Sequence, residues 1–202
     1  MPFINTIPED IAAGDVKKMY DSNREKYGFV PNFARAFSPR PDVMQAWGGL
    51  LKSIRGKMDL RRFELVTVAA ARALKSSYCM LAHGSILQRD FYSSDQVESI
   101  ARDYRNSDLT PAEKAMTAYA EKIVRDASSI SQSDIDTLRG HGFSDTEIFD
   151  IAAAAAARCF FSKLLDALGS EPDEVYLELD EPLRRSLTVG RPISGERGDR
   201  NY

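Results

Sequence analysis

Three side chains with catalytic chemistry lie close together in residues 59–88 of this 202-residue sequence. They are the carboxyl group of Glu64, the thiol of Cys79 and the imidazole of His83. Cys79 and His83 are four residues apart, so a helix would place them one turn apart on one face. The chain contains two cysteines and two histidines, and this segment holds one of each. The spacing therefore predicts a thiol beside groups that can accept its proton.

The reactivity of a cysteine depends on its thiolate form. Ser76 and Ser77 interrupt the helical pattern, so Cys79 is predicted near the start of a helix. Free amides and the helix dipole at that end favour a negative sulfur by ~0.3–1 kcal/mol. His83 can serve as the base or as a proton relay. Glu64 shares its helix face with apolar residues, so we expect its side chain to be buried.

The second cysteine and the second histidine have less informative surroundings. Cys159 follows Arg158 and precedes two phenylalanines in an alanine-rich segment, which is typical of a small buried apolar side chain. His141 lies in the loop sequence RGHGF and is interpreted as a structural residue. Neither residue is predicted to take part in catalysis.

The pattern of apolar residues predicts an all-α protein of roughly eight to ten helices. Asp59 is predicted to cap a helix over residues 60–75, the one that carries the glutamate. Thr110 and Ser144 each stand three residues before a glutamate, which is the pattern of a capping box. The sequence VYLELDE, residues 175–181, is the one short candidate strand.

The length suits a single domain. Residues 1–187 are predicted to form this domain, and residues 188–202 a polar tail or arm, because that segment is polar and has no periodicity. Residues 63–87 and 148–168 share an alanine-rich run, an arginine and terminal leucines. This similarity hints at two similar helical halves.

Composition excludes several classes of function. The formal net charge of −3 argues against a nucleic-acid or anionic-membrane partner. No uncharged apolar run reaches the ~18 residues of a membrane span, and the start MPFINTIPED does not have the pattern of a signal peptide. Two cysteines far apart in sequence indicate a reducing cytoplasm rather than a disulfide framework, and their spacing does not predict a metal site. Without a glycine-rich phosphate loop, no nucleotide-derived cofactor is expected.

Glu64, Cys79 and His83 also have the spacing of a known motif. It resembles the AhpD alkylhydroperoxidase signature, Glu-x11-Cys-x-His-Cys-x3-His, within the carboxymuconolactone decarboxylase superfamily. The stretches PNFARAFSPRPDVMQAW and LLDALGSEPDE are similar to its peroxidase-related subgroup. The resemblance implies an AhpD-like helical bundle that is a homo-oligomer and an oxidoreductase without a cofactor. It also implies that Cys79 attacks the peroxide, that His83 is the final histidine of the motif and that Glu64 relays protons.

Two positions depart from the signature. Ser76 stands where the family has a resolving cysteine, and Tyr78 stands where it has a relay histidine. Without a second thiol in the motif, a sulfenic acid on Cys79 cannot form a disulfide there. The sequence therefore predicts a hydroperoxide reductase with a single reactive cysteine, whose substrates are a small peroxide and an external thiol.

Two alternatives stay open. One is an acid–base enzyme acting on a small carboxylic acid or lactone, as in the decarboxylase branch. His83 and Glu64 would then do the chemistry, Cys79 would line the pocket, and Arg72 could hold the substrate carboxylate. The other is a non-catalytic helical oligomer that senses oxidants or binds a partner.

Overall fold

The structure is a computed structural model that describes residues 2–196. The described residues form ten α-helices and no strand, so the prediction of an all-α fold with eight to ten helices is confirmed. The helices are α1 (Gly14–Tyr27), α2 (Asn32–Ala36), α3 (Pro41–Arg55), α4 (Leu60–Ala73), α5 (Ser77–Asp90), α6 (Ser94–Asp103), α7 (Pro111–Asp126), α8 (Gln132–Gly140), α9 (Asp145–Ala167) and α10 (Glu181–Leu187).

Helix α4 is the centre of the fold. It packs against α5, α7 and α9, and every residue from Phe63 to Ala71 is buried. A helix buried on all its faces needs small side chains where neighbours approach closely, and three consecutive alanines, residues 69–71, provide them. Glu64 lies within this buried stretch, so a carboxyl group is carried into the core.

Local capping signals set several helix starts. The Asp59 carboxylate accepts a hydrogen bond from the backbone amide of Arg62, at 3.0 Å, and caps α4 as predicted. The predicted capping boxes at Thr110 and Ser144 are both present, at the starts of α7 and α9. These caps satisfy backbone amides that a helix start otherwise leaves without partners.

The break between α4 and α5 positions the predicted cysteine. Lys75 adopts a left-handed conformation with φ 56°, and the Ser76 amide donates to the Ala71 carbonyl at 2.9 Å. This arrangement ends α4 and turns the chain back. Helix α5 then begins at Ser77, so Cys79 lies in its first turn, as predicted.

The prediction of a strand at residues 175–181 is wrong. A 3₁₀ helix, Glu174–Glu178, covers the first part of that sequence. An alternating pattern this short forms a strand only beside another strand, and the described residues contain none.

The two stretches with a similar sequence pattern, residues 63–87 and 148–168, differ in structure. The first is broken at Lys75, whereas the second lies within the continuous helix α9.

The described part of the predicted tail, residues 188–196, contacts the helices. Its Gly190 amide donates to the Ser77 hydroxyl at 2.7 Å, and Ile193 is fully buried. A β-carbon at Gly190 would lie 2.0 Å from the Lys75 carbonyl oxygen, so the close approach requires glycine. Residues 197–202 of that prediction lie outside the described residues. No helix among residues 2–196 has the length and apolar character to cross a membrane.

Candidate active site

Glu64 and His83 form a direct pair between α4 and α5. Oε2 of Glu64 lies 2.5 Å from Nδ1 of His83, and the glutamate is 1% exposed. A carboxylate can only accept, so a carboxylate at Glu64 fixes the proton of a neutral His83 on Nδ1. The lone pair of His83 is then on Nε2, which can accept a proton from another group. The predicted burial of Glu64 is present in the structure.

Two arginines and a phenylalanine surround this pair. The His83 ring packs edge-on against Phe63, with 6.4 Å between ring centroids. Arg55 lies 4.0 Å from Glu64 and partly over the Phe63 ring. The pKa of His83 is lowered, first by burial and then by the positive charge of Arg158, although Glu64 acts in the opposite direction. His83 is therefore held as the neutral base near pH 7.

We expect His83 to make the protein less stable in mild acid. Its pKa in the folded state lies below the value of about 6.5 in an unfolded chain, so the unfolded state binds the proton first as the pH falls. Stability is retained above about pH 6.5 and is lost as the pH falls below it. Urea unfolding at about pH 7.5 and about pH 5.5 should show a smaller acid loss in His83→Gln than in the wild type. Equal losses would contradict this assignment.

The Cys79 sulfur has different partners from those predicted. It accepts a hydrogen bond from the Ser162 hydroxyl at 3.1 Å, and Nη1 of Arg158 donates to it at 3.6 Å. Both donors lie on α9, and Cys79 is 1% exposed. Among the described residues, no hydrogen bond joins this sulfur to Glu64 or His83. The structure therefore brings Glu64 and His83 together and leaves Cys79 one helical turn away, beside a cation.

Arg158 is the residue that the sequence analysis missed. It is 3% exposed, and its charge acts on His83 while its guanidinium contacts Cys79. Its position in α9 was a usable signal, because it occupies the helix face of the buried residues Ile151, Ala155, Ser162 and Leu165. An arginine on a buried helix face needs a partner for its charge.

Aromatic rings form the wall beside Arg158. The Phe161 ring stacks on Trp47 and Phe37, with centroid distances of 5.2 and 5.7 Å. The Arg158 guanidinium carbon lies 5.9 Å from the Trp47 ring centroid and 5.7 Å from that of Phe161. The faces of these rings attract the cation but exclude water from that side.

Ser76 and Tyr78, the two residues that depart from the signature, are both buried. The Tyr78 hydroxyl donates to Asp173 and accepts from the Phe33 amide, which ties α5 to the segments around it. Burial raises the pKa of Tyr78 well above its ordinary value, so this phenol stays protonated. Ser76 is fully buried before the first turn of α5.

The remaining candidates lie away from this cluster. Arg72, which could have held a substrate carboxylate, donates to the Arg102 carbonyl in an exposed hydrogen bond. Cys159 is a free thiol that is partly exposed, and burial raises its pKa. His141 is exposed at the end of α8. The arginine that contacts the predicted cysteine is thus Arg158.

Comparisons with known proteins agree with the predicted resemblance. The model of the Carboxymuconolactone decarboxylase family matches residues 41–122. The structure is similar to the alkylhydroperoxidase AhpD core of an uncharacterized peroxidase-related protein from Ralstonia eutropha JMP134. That similarity has a TM-score of 0.79 and 25% identity, over 87% of this chain and 94% of that one.

Two further solved structures share the fold at lower identity. An uncharacterized peroxidase-related protein from Silicibacter sp. TM1040 gives a TM-score of 0.74 and 23% identity, over 88% of this chain and 92% of that one. The debrominase Bmp8 gives 0.71 and 20%, over 92% of this chain and 96% of that one. No protein in the comparison with curated sequences matches. The AhpD-like all-α fold and the resemblance to the carboxymuconolactone decarboxylase family are confirmed.

Proposed function

We propose that this chain is a thiol-dependent hydroperoxide reductase that uses Cys79 as its single reactive cysteine. The observation that carries the proposal is the contact between the Cys79 sulfur and the buried Arg158 guanidinium, 3.6 Å away. A buried cation needs a negative partner, and a cationic neighbour is what stabilises a reactive thiolate. The Ser162 hydroxyl and the first-turn position of Cys79 in α5 act in the same direction.

Of the two arginines at the site, Arg55 faces a carboxylate and Arg158 faces the Cys79 sulfur. The Glu64 carboxylate faces Arg55 at 4.0 Å and the imidazole of His83. Arg158 makes no salt bridge to a carboxylate among the described residues, and its one hydrogen bond goes to Cys79. The Arg158 cation is therefore placed to stabilise negative charge that develops on the Cys79 sulfur during the reaction.

The reaction follows from these groups. The Cys79 thiolate attacks one oxygen of the hydroperoxide, an S–O bond forms and the O–O bond breaks. The sulfur is oxidised by two electrons to a sulfenic acid, and the peroxide is reduced to an alcohol or water. The departing oxygen takes up the proton that the thiol has given to Nε2 of His83. Because none of the hydrogen bonds among residues 2–196 joins His83 to Cys79, the bound peroxide or a water carries that proton between them.

An external thiol completes the cycle. Ser76 cannot form a disulfide, so a small-molecule or protein thiol attacks the sulfenic acid on Cys79 and releases water. A second external thiol then reduces the mixed disulfide and restores Cys79.

Burial of the site favours a small oxidant. Glu64, Cys79 and Arg158 are each at most 3% exposed, whereas 15% of the His83 side chain is exposed. Oxidant is therefore expected to approach on the side of His83, and a compact hydroperoxide is favoured over a bulky one.

The acid–base alternative is supported by the Glu64–His83 pair itself. A neutral imidazole oriented by a carboxylate is a general base, and Arg158 could hold a substrate carboxylate in place of Arg72. In that enzyme Cys79 would not change its oxidation state.

A homo-oligomer also remains a proposal, supported by the exposed side chains of Phe149 and Phe160 on α9.

The test is the chemical state of Cys79 after one equivalent of hydroperoxide. We expect a sulfenic acid on Cys79, trapped with a dione reagent and located by mass spectrometry, and an unmodified Cys159. Adding an external thiol should restore the free thiol. An unmodified Cys79 in a protein that still consumes peroxide would exclude this mechanism.

A further inference from the structure

The exposed face of α9 is apolar over three helical turns. Phe149 is 70% exposed and Phe160 is 46% exposed, and a separation of eleven residues places them on one side of the helix. Between them this face carries Ala152, Ala153 and Ala156 and no charged residue. Monomeric proteins rarely expose a continuous apolar patch, so we expect a partner to cover it.

The apolar surface extends onto α3. The Phe160 ring packs on Trp47, with 5.6 Å between the ring centroids. Leu50, three residues after Trp47 in α3, is 53% exposed. Two helices therefore contribute to one apolar surface. The opposite face of α9, with Arg158, is buried against the candidate active site and is not available to a partner.

The residues along the exposed face of α9 are arranged symmetrically about its centre. From the N-terminal end, the face presents Phe149, Ala153, Ala156 and Phe160, with separations of four, three and four residues. A two-fold interface joins the same surface of two copies, so that surface must complement itself. An antiparallel second α9 would place Phe149 of each chain beside Phe160 of the other. The alanines would then meet at the centre, where small side chains let the helices approach closely.

The charges at the two ends of this face fit the same arrangement. Lys163 is exposed, three residues after Phe160, and makes no ion pair among residues 2–196. Asp145 is 74% exposed, four residues before Phe149, and its Oδ1 accepts from Arg139 while Oδ2 points to no partner within the described chain. Antiparallel pairing brings Lys163 of each chain to Asp145 of the other, whereas parallel pairing would place like charges together.

We infer that the chain forms a two-fold dimer in which α9 packs antiparallel against α9 of a second copy. This inference specifies the surface of the proposed homo-oligomer and does not depend on the proposed hydroperoxide reductase activity. The dimer covers Phe149 and Phe160 and forms the Lys163–Asp145 pair at both ends of the contact. A second copy is favoured over an unrelated protein because the surface complements itself in both shape and charge.

The first experiment measures the molar mass in solution, by light scattering at micromolar concentration. We expect the wild type to have at least twice the 22.5 kDa mass of one chain. Ala156→Arg should have half the wild-type mass, because it places two like charges at the centre of the contact. Residue 156 is exposed in the single chain, so circular dichroism should show an unchanged helix content.

Two further variants support this measurement. Ala118→Arg, a matched change at an exposed alanine of α7, should keep the wild-type mass. If Ala156→Arg does not fold, Phe149→Glu carries the same comparison, because it removes an exposed ring and adds a charge to the same face. We expect Phe149→Glu to halve the mass as well.

The second experiment tests the antiparallel orientation in the wild-type protein, with a zero-length carbodiimide cross-linker. Asp145 and Lys163 lie eighteen residues apart in one continuous helix, about 27 Å along its axis, so an amide bond between them must join two chains. We expect mass spectrometry to identify this cross-link.

Three results would overturn the inference. They are a monomeric wild type, folded Ala156→Arg and Phe149→Glu variants that keep the wild-type mass, and an oligomer in which Lys163 is cross-linked only to other carboxyl groups. The proposed reaction at Cys79 would stand in each case, because its test follows the oxidation of the sulfur and not the mass of the protein.

Discussion

Cys79→Ser is expected to lower thiol-dependent hydroperoxide turnover by about 10³-fold or more, because a serine hydroxyl cannot be oxidised to a sulfenic acid. The substitution is nearly isosteric, and the Ser162 and Arg158 donors can still bond to the serine oxygen. The fold should therefore survive. Peroxide consumption is measured with an excess of a dithiol, and thermal unfolding confirms that the variant is folded.

Cys159→Ser is the matched control for that change. Cys159 is partly exposed, lies on α9 and makes no disulfide among the described residues. We expect its replacement to leave turnover within about 2-fold of the wild type, in the range of an ordinary surface substitution. Full turnover in Cys79→Ser would exclude thiol chemistry at this site and favour the acid–base alternative. Loss of turnover in Cys159→Ser would show that the second thiol takes part in the cycle.

Glu64→Gln is expected to slow the oxidation of Cys79 by about 10²- to 10⁴-fold. The carboxylate orients His83 through a 2.5 Å contact with Nδ1 and fixes the basic lone pair on Nε2. A glutamine amide can donate to Nδ1, which stabilises the opposite tautomer and removes the acceptor that receives the proton. Single-turnover oxidation of Cys79 by hydrogen peroxide measures this effect directly.

Glu25→Gln provides the control, because Glu25 is an exposed residue of α1 that lies outside the site. Its single-turnover rate should equal that of the wild type. A normal rate in Glu64→Gln would show that the Glu64–His83 pair is structural. The combined pattern also separates the two enzyme classes, because the acid–base alternative needs Glu64 and does not need Cys79.

The features of the fold that are local in sequence could be predicted from it. The cap at Asp59 and the capping boxes at Thr110 and Ser144 each depend on residues within one turn of the helix start. The end of α4 was predicted near the serine pair, although Lys75 makes the turn. A short alternating pattern was misread as a strand, because strand formation depends on a distant partner that the pattern does not reveal.

The site was predictable only in part for the same reason. The spacing of Glu64 and His83 anticipated a contact across the α4–α5 break, and the structure contains it. The partners of Cys79 come from α9, about eighty residues later in the chain, and no local spacing connects them. Arg158 was read as the neighbour of an unreactive cysteine, although its position on the buried face of α9 indicated a charge that needed a partner.

The most direct test of the central claim follows peroxide and sulfur together in the wild-type chain. One equivalent of hydrogen peroxide is added, and samples are quenched over time for residual peroxide and for the sulfenic acid on Cys79. We expect the loss of peroxide to match the gain of sulfenic acid in time and amount, with Cys79 as the site of oxidation. Peroxide that disappears while the Cys79 thiol stays reduced, or a Cys79 that reacts no faster than a free thiol in solution, would contradict it.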